Sequence, residues 1–531
     1  VSGSTGLTSL IGSGTSRFRY NSDETTTNYS AALSSGKYAI YREQPTLTIT
    51  AASETVTYGT APSESVTITG MQNGDASATV VTTDASISIS GDTSTSGNYI
   101  VDDHTITPSA AASTYGYGFS YSTGTLTVNP KALTVTANDG SATYGTAFSV
   151  GAGSSAFTSS GLENSETIGS ITIASDDGAT NTSSVGTYNI VPSAATGGTF
   201  TASNYNITYA NGTLTVAAKD LTITANNGSA TYGTAFSVGA GSSAFTSSGL
   251  ENSETIGSIT IASDDGATNT SSVGTYNIVP SAATGGTFTA SNYNITYANG
   301  TLTVAAKDLT ITANNGSATY GTAFSVGAGS SAFTSSGLEN SETIGSITIA
   351  SDDGATNTSS VGTYNIVPSA ATGGTFTASN YNITYANGTL TVAAKDLTIT
   401  ANNGSATYGT AFSVGAGSSA FTSSGLENSE TIGSITIASD DGATNTSSVG
   451  TYNIVPSAAT GGTFTASNYN ITYANGTLTV AAKDLTITAN NGSATYGTAF
   501  SVGAGSSAFT SSGLENSETI GSITIASDDG A

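Results

Sequence analysis

The string KDLTITANNGSATYGTAF occupies residues 219–236 and returns letter for letter at Lys307, Lys395 and Lys483, a spacing of 88 residues. A fixed period of this length marks a supersecondary or domain-sized unit repeated in tandem, so it governs every other reading of the chain. The units 219–306, 307–394 and 395–482 are identical. The unit at 131–218 departs from them at Ala132, Val135 and Asp139. A divergent unit, 45–130, keeps TLTITA, then VTYGTAPS from Val56, then TGTLTVNPKAL running into the next copy. A sixth begins at Lys483 and stops in mid-unit at Ala531, and the chain starts at Val1 rather than Met. The expectation is a processed or truncated product of a longer polypeptide, divided into 1–44, 45–130, 131–218, 219–306, 307–394, 395–482 and 483–531.

Inside one unit, apolar and polar residues alternate as a half-buried strand requires. Leu221 and Ile223 alternate with Thr222 and Thr224, and Ile259 and Ile261 flank Thr260. Tyr276 with Ile278, then Tyr293, Ile295 and Tyr297, and finally Leu302 and Val304 continue the pattern. GLENSETIG, residues 249–257, reads as one helical turn or a tight loop. Asn299–Gly300 between YNITYA and TLTVAA predicts a hairpin. The fold class that follows is all-β, with tandem β-sandwich-like (Ig-like) modules; the alternative is a β-grasp-like module with one short helix. Only AAKD separates TLTV from the next LTIT, with no Gly/Ser- or Pro-rich linker, which predicts a semi-rigid rod.

Composition narrows the function. Thirty-five acidic residues face nine basic ones, for a formal charge of −26, so the basic surface that holds phosphates is absent and nucleic-acid binding is excluded. The chain has no Cys, which removes disulfides, thiolate chemistry and Cys-ligated zinc. No apolar run approaches the roughly 18–20 residues of a membrane helix, so no membrane insertion is expected. The 26 Tyr and 16 Phe argue against disorder, and the 64 Gly supply turns between short strands.

The repeats resemble the MBG-type (YGX) repeats of very large bacterial surface adhesins. The likeness rests on Lys219–Asn226, Ala230–Thr234, Ser248–Thr255, Val273–Ile278 and Ser291–Val304. Residues 1–44, with SRFRYNSDETTTNYS and KYAIYREQP, are similar to the segment that joins an upstream secreted β-helix to such repeats in filamentous haemagglutinin-like exoproteins. That resemblance implies export by a two-partner system, hence an outer-membrane secretion partner, and a place on the surface of a Gram-negative cell. It also implies a stalk or filament role, with no catalytic residues to carry over. The ligand on a host or neighbouring cell is unknown, and identity among three units emphasises spacing over recognition.

The chemistry in the repeats is sparse. No His, Cys, Arg or Trp occurs in the identical units, and Ser without a neighbouring base is not a nucleophile. The single His, His104, is expected to be a solvated residue near a strand start. Each identical unit sets Asp220, Glu251, Glu254, Asp264 and Asp265 against Lys219. Asp264, Asp265, Glu251 and Glu254 are the candidate weak calcium sites, since oxygen-rich loops such as SDDGATN (263–269) suit a hard cation. The competing reading is solvated carboxylates that maintain solubility. No other cofactor is expected, and no enzyme. Lys219 beside Asp220 raises an internal isopeptide crosslink, and Thr222/Thr224 with Thr301/Thr303 raise a hydroxyl array for ice or sugar. The bland readings are a boundary lysine and an ordinary solvent face. Asn206, Asn211 and Asn227 lie in glycosylation sequons. Tyr232, Tyr276 and Tyr293 are expected to cap a thin core, so that neighbouring modules help to stabilise one another. Exposed strand edges leave self-association into fibres, by strand addition or lateral packing, as the alternative function.

Overall fold

The computed structural model describes residues 5–528. The repeat 131–218 serves as the type unit. Its strands are β1 (Lys131–Ala137), β2 (Gly140–Thr143), β3 (Gly151–Ser154), β4 (Phe157–Ser160), β5 (Ile168–Ser175), β6 (Gly186–Gly198), β7 (Tyr205–Ala210) and β8 (Gly212–Ala217). A three-stranded sheet runs β4-β1-β7 and a five-stranded sheet runs β2-β8-β6-β5-β3. Within the first, β1 is antiparallel to β4 and parallel to β7. In the second, β2 is parallel to β8, and the remaining pairs are antiparallel.

The alternation of the sequence becomes the two faces of these sheets. Leu133, Val135 and Ala137 point inward from β1, while Thr134 is exposed and Thr136 half-buried. They meet Ile171 and Ile173 of β5, Ile190 of β6, Tyr205 of β7, and Leu214 and Val216 of β8 in one core. The result is all-β and layered, as expected. The only helical piece in this repeat is the 3-10 turn Ala202–Asn204. The GLENSETIG segment is a tight loop rather than a helical turn: Asn252 and Ser253 both take positive φ (52° and 59°), and Glu254 N–H donates to the Glu251 carbonyl at 2.9 Å.

The Asn-Gly reading needs correction. Asn211–Gly212 and its copy Asn299–Gly300 do not turn a hairpin; YNITYA belongs to the three-stranded sheet and GTLTVA to the five-stranded one. Neither glycine has positive φ, which a two-residue hairpin turn would demand. The chain instead crosses between sheets here, beside the matching crossing from β1 to β2. A Cβ at Gly212 would lie 2.6 Å from the carbonyl oxygens of both Ala137 and Asn138, so the glycine is required by close backbone approach.

His104 is also not solvated. It occupies an inward position of the strand Asp103–Ser109 and is 4% exposed, with Nε2 2.8 Å from the Ile100 carbonyl and Nδ1 3.1 Å from that of Ser90.

The described chain comprises two compact units. One holds residues 5–226, 238–262 and 279–300, and the other holds 227–237, 263–278 and 301–528. In the first, residues 5–44 pack onto the divergent repeat. They contribute the helix Thr5–Ile11 and the short parallel pair Phe18–Arg19 with Ala39–Ile40. Phe18, Tyr20 and Ala39 share a core with Leu47, Val80, Val81 and Tyr117. Arg19 is 1% exposed; its guanidinium donates to the Ser16 and Phe18 carbonyls and lies over the Tyr115 ring. The second unit repeats the type architecture at 307–394 and 395–482. Residues 1–4 and 529–531 of the expected first and last segments lie outside the described residues.

Candidate functional site

A single residue separates the last strand of one repeat from the first strand of the next at four boundaries, as at Ala217 and Lys219 or Ala393 and Lys395; at the last described boundary the gap runs from Ala481 to Thr486. Around this short connection the repeats build a joint. The one between 131–218 and 219–306 lies wholly in the first compact unit.

Two consecutive left-handed residues, Asn252 and Ser253, fold the SGLENSET turn so tightly that Glu251 and Glu254 bracket it. The two carboxylates then take different partners. Glu251 pairs with Lys219 at 2.8 Å, and its backbone N–H donates to the Tyr293 hydroxyl at 2.9 Å. Glu254 accepts hydrogen bonds from two phenols: Tyr293 of its own repeat and, at 2.7 Å, Tyr144 of the preceding one. The Tyr144 and Tyr293 rings meet edge to face, 5.4 Å between centroids at 78°. Burial, followed by the bond to Glu254, raises both phenol pKa values above the usual 10.0.

Tyr144 reaches this position because it follows β2 in a turn closed by Thr146 N–H on the Thr143 carbonyl. The residue after it must be glycine. Gly145 has φ +90°, and a Cβ there would stand 2.4 Å from Glu251 Cγ. Asparagines complete the joint. Asn292 is 4% exposed and accepts from the Val185 N–H of the preceding repeat at 3.0 Å. Asn181 and Asn252 exchange bonds across the interface at 2.7 and 3.1 Å.

The same arrangement recurs. Tyr58, Glu166 and Tyr205 form it one step earlier. Tyr232, Glu342 and Tyr381, then Tyr320, Glu430 and Tyr469, form it within the second unit. Tyr408 donates to Glu518 at the last described joint. Apolar packing is continuous through these joints: one core holds residues from both 45–130 and 131–218, and another holds residues from 307–394 and 395–482.

The candidate calcium residues have protein partners. Asp264 accepts from the Asn277 backbone N–H at 2.9 Å and from its side-chain amide at 2.8 Å. Desolvation works to raise the Asp264 pKa, but these bonds outweigh it and hold the carboxyl below its usual range. Asp265 is exposed, and its carbonyl accepts the Ser271 hydroxyl at 2.6 Å. Glu251 and Glu254 belong to the joint. Within the single repeat 131–218, the copies diverge likewise: Glu166 takes two tyrosines, whereas Asp176 takes Asn189. Among the described residues, no group of three or more His, Cys, Asp or Glu is gathered as a metal cluster would need. Lys219 is about a third exposed, with Glu251 as its partner. Thr222, Thr301 and Thr303 lie on the solvent face. Tyr232 and Tyr293 are buried, and Tyr276 is half-buried with its hydroxyl on the Ser272 carbonyl.

The partnership of the turn's Glu with two tyrosines escaped sequence reasoning. Its traces were the paired Glu-x-x-Glu, the single Lys and the Tyr-Gly pair, each recurring once in every repeat from Lys131 onward.

These features define an all-β tandem-repeat protein whose most elaborate polar site is its own joint. Residues 47–127, 133–215, 221–303, 309–391 and 397–479 each match the family MBG domain (YGX type), and the chain belongs to that family. No curated protein matches the chain.

Proposed function

We propose that this array is an extracellular structural stalk or filament of a surface adhesin on a Gram-negative bacterium, projecting a binding domain or tethering cells and matrix. The observation that carries the reading is the Tyr–carboxylate–Tyr joint. It recurs at one repeat boundary after another, with a single residue between strands where a flexible linker would otherwise be. A spacer must transmit position from one end to the other, and ordered joints do that where slack would not. The net charge of −26 fits a solvated surface that resists clumping. On this reading the repeats perform no reaction, any calcium bound at the acidic turns would be structural, and export uses an outer-membrane partner.

The test is to shorten the array in the producing bacterium and locate a tag placed beyond it by immunogold microscopy. The expected result is surface label whose distance from the cell falls in step with the repeats removed, with reduced attachment. Label confined to the cell interior, or a distance indifferent to repeat number, contradicts the reading. The second reading, a self-assembling fibre, draws on the edge strands β3 and β4 that close each sheet on one side.

A further inference from the structure

The peptide unit between Ile100 and Val101 is bonded at both ends. Its N–H, on Val101, crosses from repeat 45–130 to the next and donates to Asn204 Oδ1 at 3.0 Å, and Asn204 is fully buried. Its carbonyl, on Ile100, lies 2.8 Å from Nε2 of His104. Later repeats build the same relay with a different ring. The Ser184 carbonyl accepts the Tyr188 hydroxyl at 2.8 Å, while the Val185 N–H of the same peptide unit donates to Asn292 at 3.0 Å. His104 is the counterpart of Tyr188: each stands opposite the matching leucine, Leu126 or Leu214, of the neighbouring strand. Each also lies over a glycine, since a Cβ at Gly91 would fall on His104 Nδ1 and one at Gly178 on the Tyr188 ring.

The exchange of rings changes the chemistry. A phenol gives one O–H, and histidine is the side chain that ordinarily changes charge between about pH 5 and 8. His104 also has a second neighbour, the Ser90 carbonyl, 3.1 Å from Nδ1. A neutral imidazole carries one N–H, so one nitrogen meets its carbonyl with a lone pair, and only the protonated ring donates to both. Bonds in a chain polarise one another, so a charged donor on the Ile100 carbonyl makes the Val101 N–H a better donor to Asn204. The loop that these two bonds close, from Ser90 to Ile100, touches the next repeat elsewhere too. Thr95 donates to the Thr199 carbonyl at 2.9 Å, and the Ser96 carbonyl accepts from Asn164 at 3.1 Å.

The titratable groups on the elements around the ring are Asp92, Tyr99, Asp102 and Asp103 on its own loop and strand, Glu54 one strand beyond Leu126, and Tyr58. Asp102 accepts from the Asp103 N–H, Asp103 from Thr127 and Glu54 from Ser63, while Tyr58 donates to Glu166 and Asp92 is exposed. The Tyr99 ring lies 5.2 Å from the imidazole. Among the described residues, no ion pair involves His104.

We propose that His104 is a proton-operated clip on the joint between repeats 45–130 and 131–218: protonated, it holds the Ser90 and Ile100 carbonyls together and tightens the loop against the next repeat; neutral, it releases one of them. The clip is complete on the acid side of the histidine range and loosens as pH rises through it. The later joints, clipped by tyrosine, do not share the response. The inference goes beyond the stalk reading and does not depend on where the protein resides.

The test uses the full chain, whose single histidine makes the ring signal unambiguous. NMR of protein labelled with ¹⁵N-histidine, between about pH 5 and 8, is expected to show both ring nitrogens protonated at the acid end and one at the alkaline end. Hydrogen exchange over the same range compares the amides of 90–103 with those of 176–185 and its identical copies 264–273, 352–361 and 440–449, so that the intrinsic pH dependence of exchange cancels. Protection of 90–103 relative to these tyrosine-clipped loops is expected to rise about threefold or more on acidification, and His104→Tyr or His104→Gln to abolish the rise. A ring that keeps one protonation form across the range, a relative protection that stays flat, or a rise that survives both substitutions each overturns the proposal.

Discussion

A carboxylate held by two phenols is an unusual choice for a protein with few charges, and its energetics explain what the repeated tyrosines do. A hydrogen bond to a charged acceptor contributes about 1.5–3 kcal/mol, roughly twice a neutral one, and leaving the carboxylate short of a donor costs its desolvation. Tyr320→Phe, which removes one donor from Glu430, is therefore expected to destabilise a two-repeat fragment, 307–482, by about 1–2 kcal/mol, measured by denaturant unfolding. Gly321→Ala meets a different obstacle. It forces a side chain onto φ +89° and brings a Cβ within 2.3 Å of Glu427 Cγ, so Glu427 must swing away from Lys395. A loss of about 1–3 kcal/mol is expected in the same assay. Alkali probes the phenols directly. Their folded pKa values are raised above 10.0, so the stability linked to them is complete below that pH and is lost as pH rises through the higher folded values. Melting temperature should thus hold until about pH 10 and fall beyond it, with a shallower fall in Tyr320→Phe. None of this was legible at the sequence level, because Glu251 and Glu254 look like solvated turn residues until the preceding repeat is placed beside them.

Strands, by contrast, were readable, because alternation is a property of each segment alone. Leu133, Val135, Leu214 and Val216 point where their spacing puts them. The connection between YNITYA and GTLTVA was not readable. Asn-Gly serves a hairpin when both residues take positive φ, and it serves equally as a glycine under which another backbone passes; only the tertiary path decides. Two glycines separate these uses experimentally. Gly388 has ordinary φ, but a Cβ there would lie 2.6 Å from the rigid Ala313 and Asn314 carbonyls. Gly329 has φ +85° and open space around it. In the 307–482 fragment, Gly388→Ala should lower the melting temperature clearly more than Gly329→Ala, whose cost is the backbone term of about 1 kcal/mol. Equal effects would mean that the crossing between sheets does not depend on that close approach.

At the scale of the whole molecule, repetition makes stability a sum of repeats and joints. Each repeat from 131–218 to 395–482 completes its own sheets, yet the buried cores run on from 45–130 to 131–218 and from 307–394 to 395–482, so neighbours should contribute free energy that a lone repeat lacks. The 88-residue period and the missing linker announced that dependence, although the groups that carry it stayed hidden. The joint couples folded neighbours energetically. Its most direct measurement is equilibrium unfolding of 307–394 alone against 307–482, each with and without Glu430→Gln. The two-repeat fragment should unfold at a clearly higher denaturant midpoint than the single repeat, and Glu430→Gln should erase much of that gain. Coincident midpoints for one and two repeats, with the substitution without effect, would contradict it.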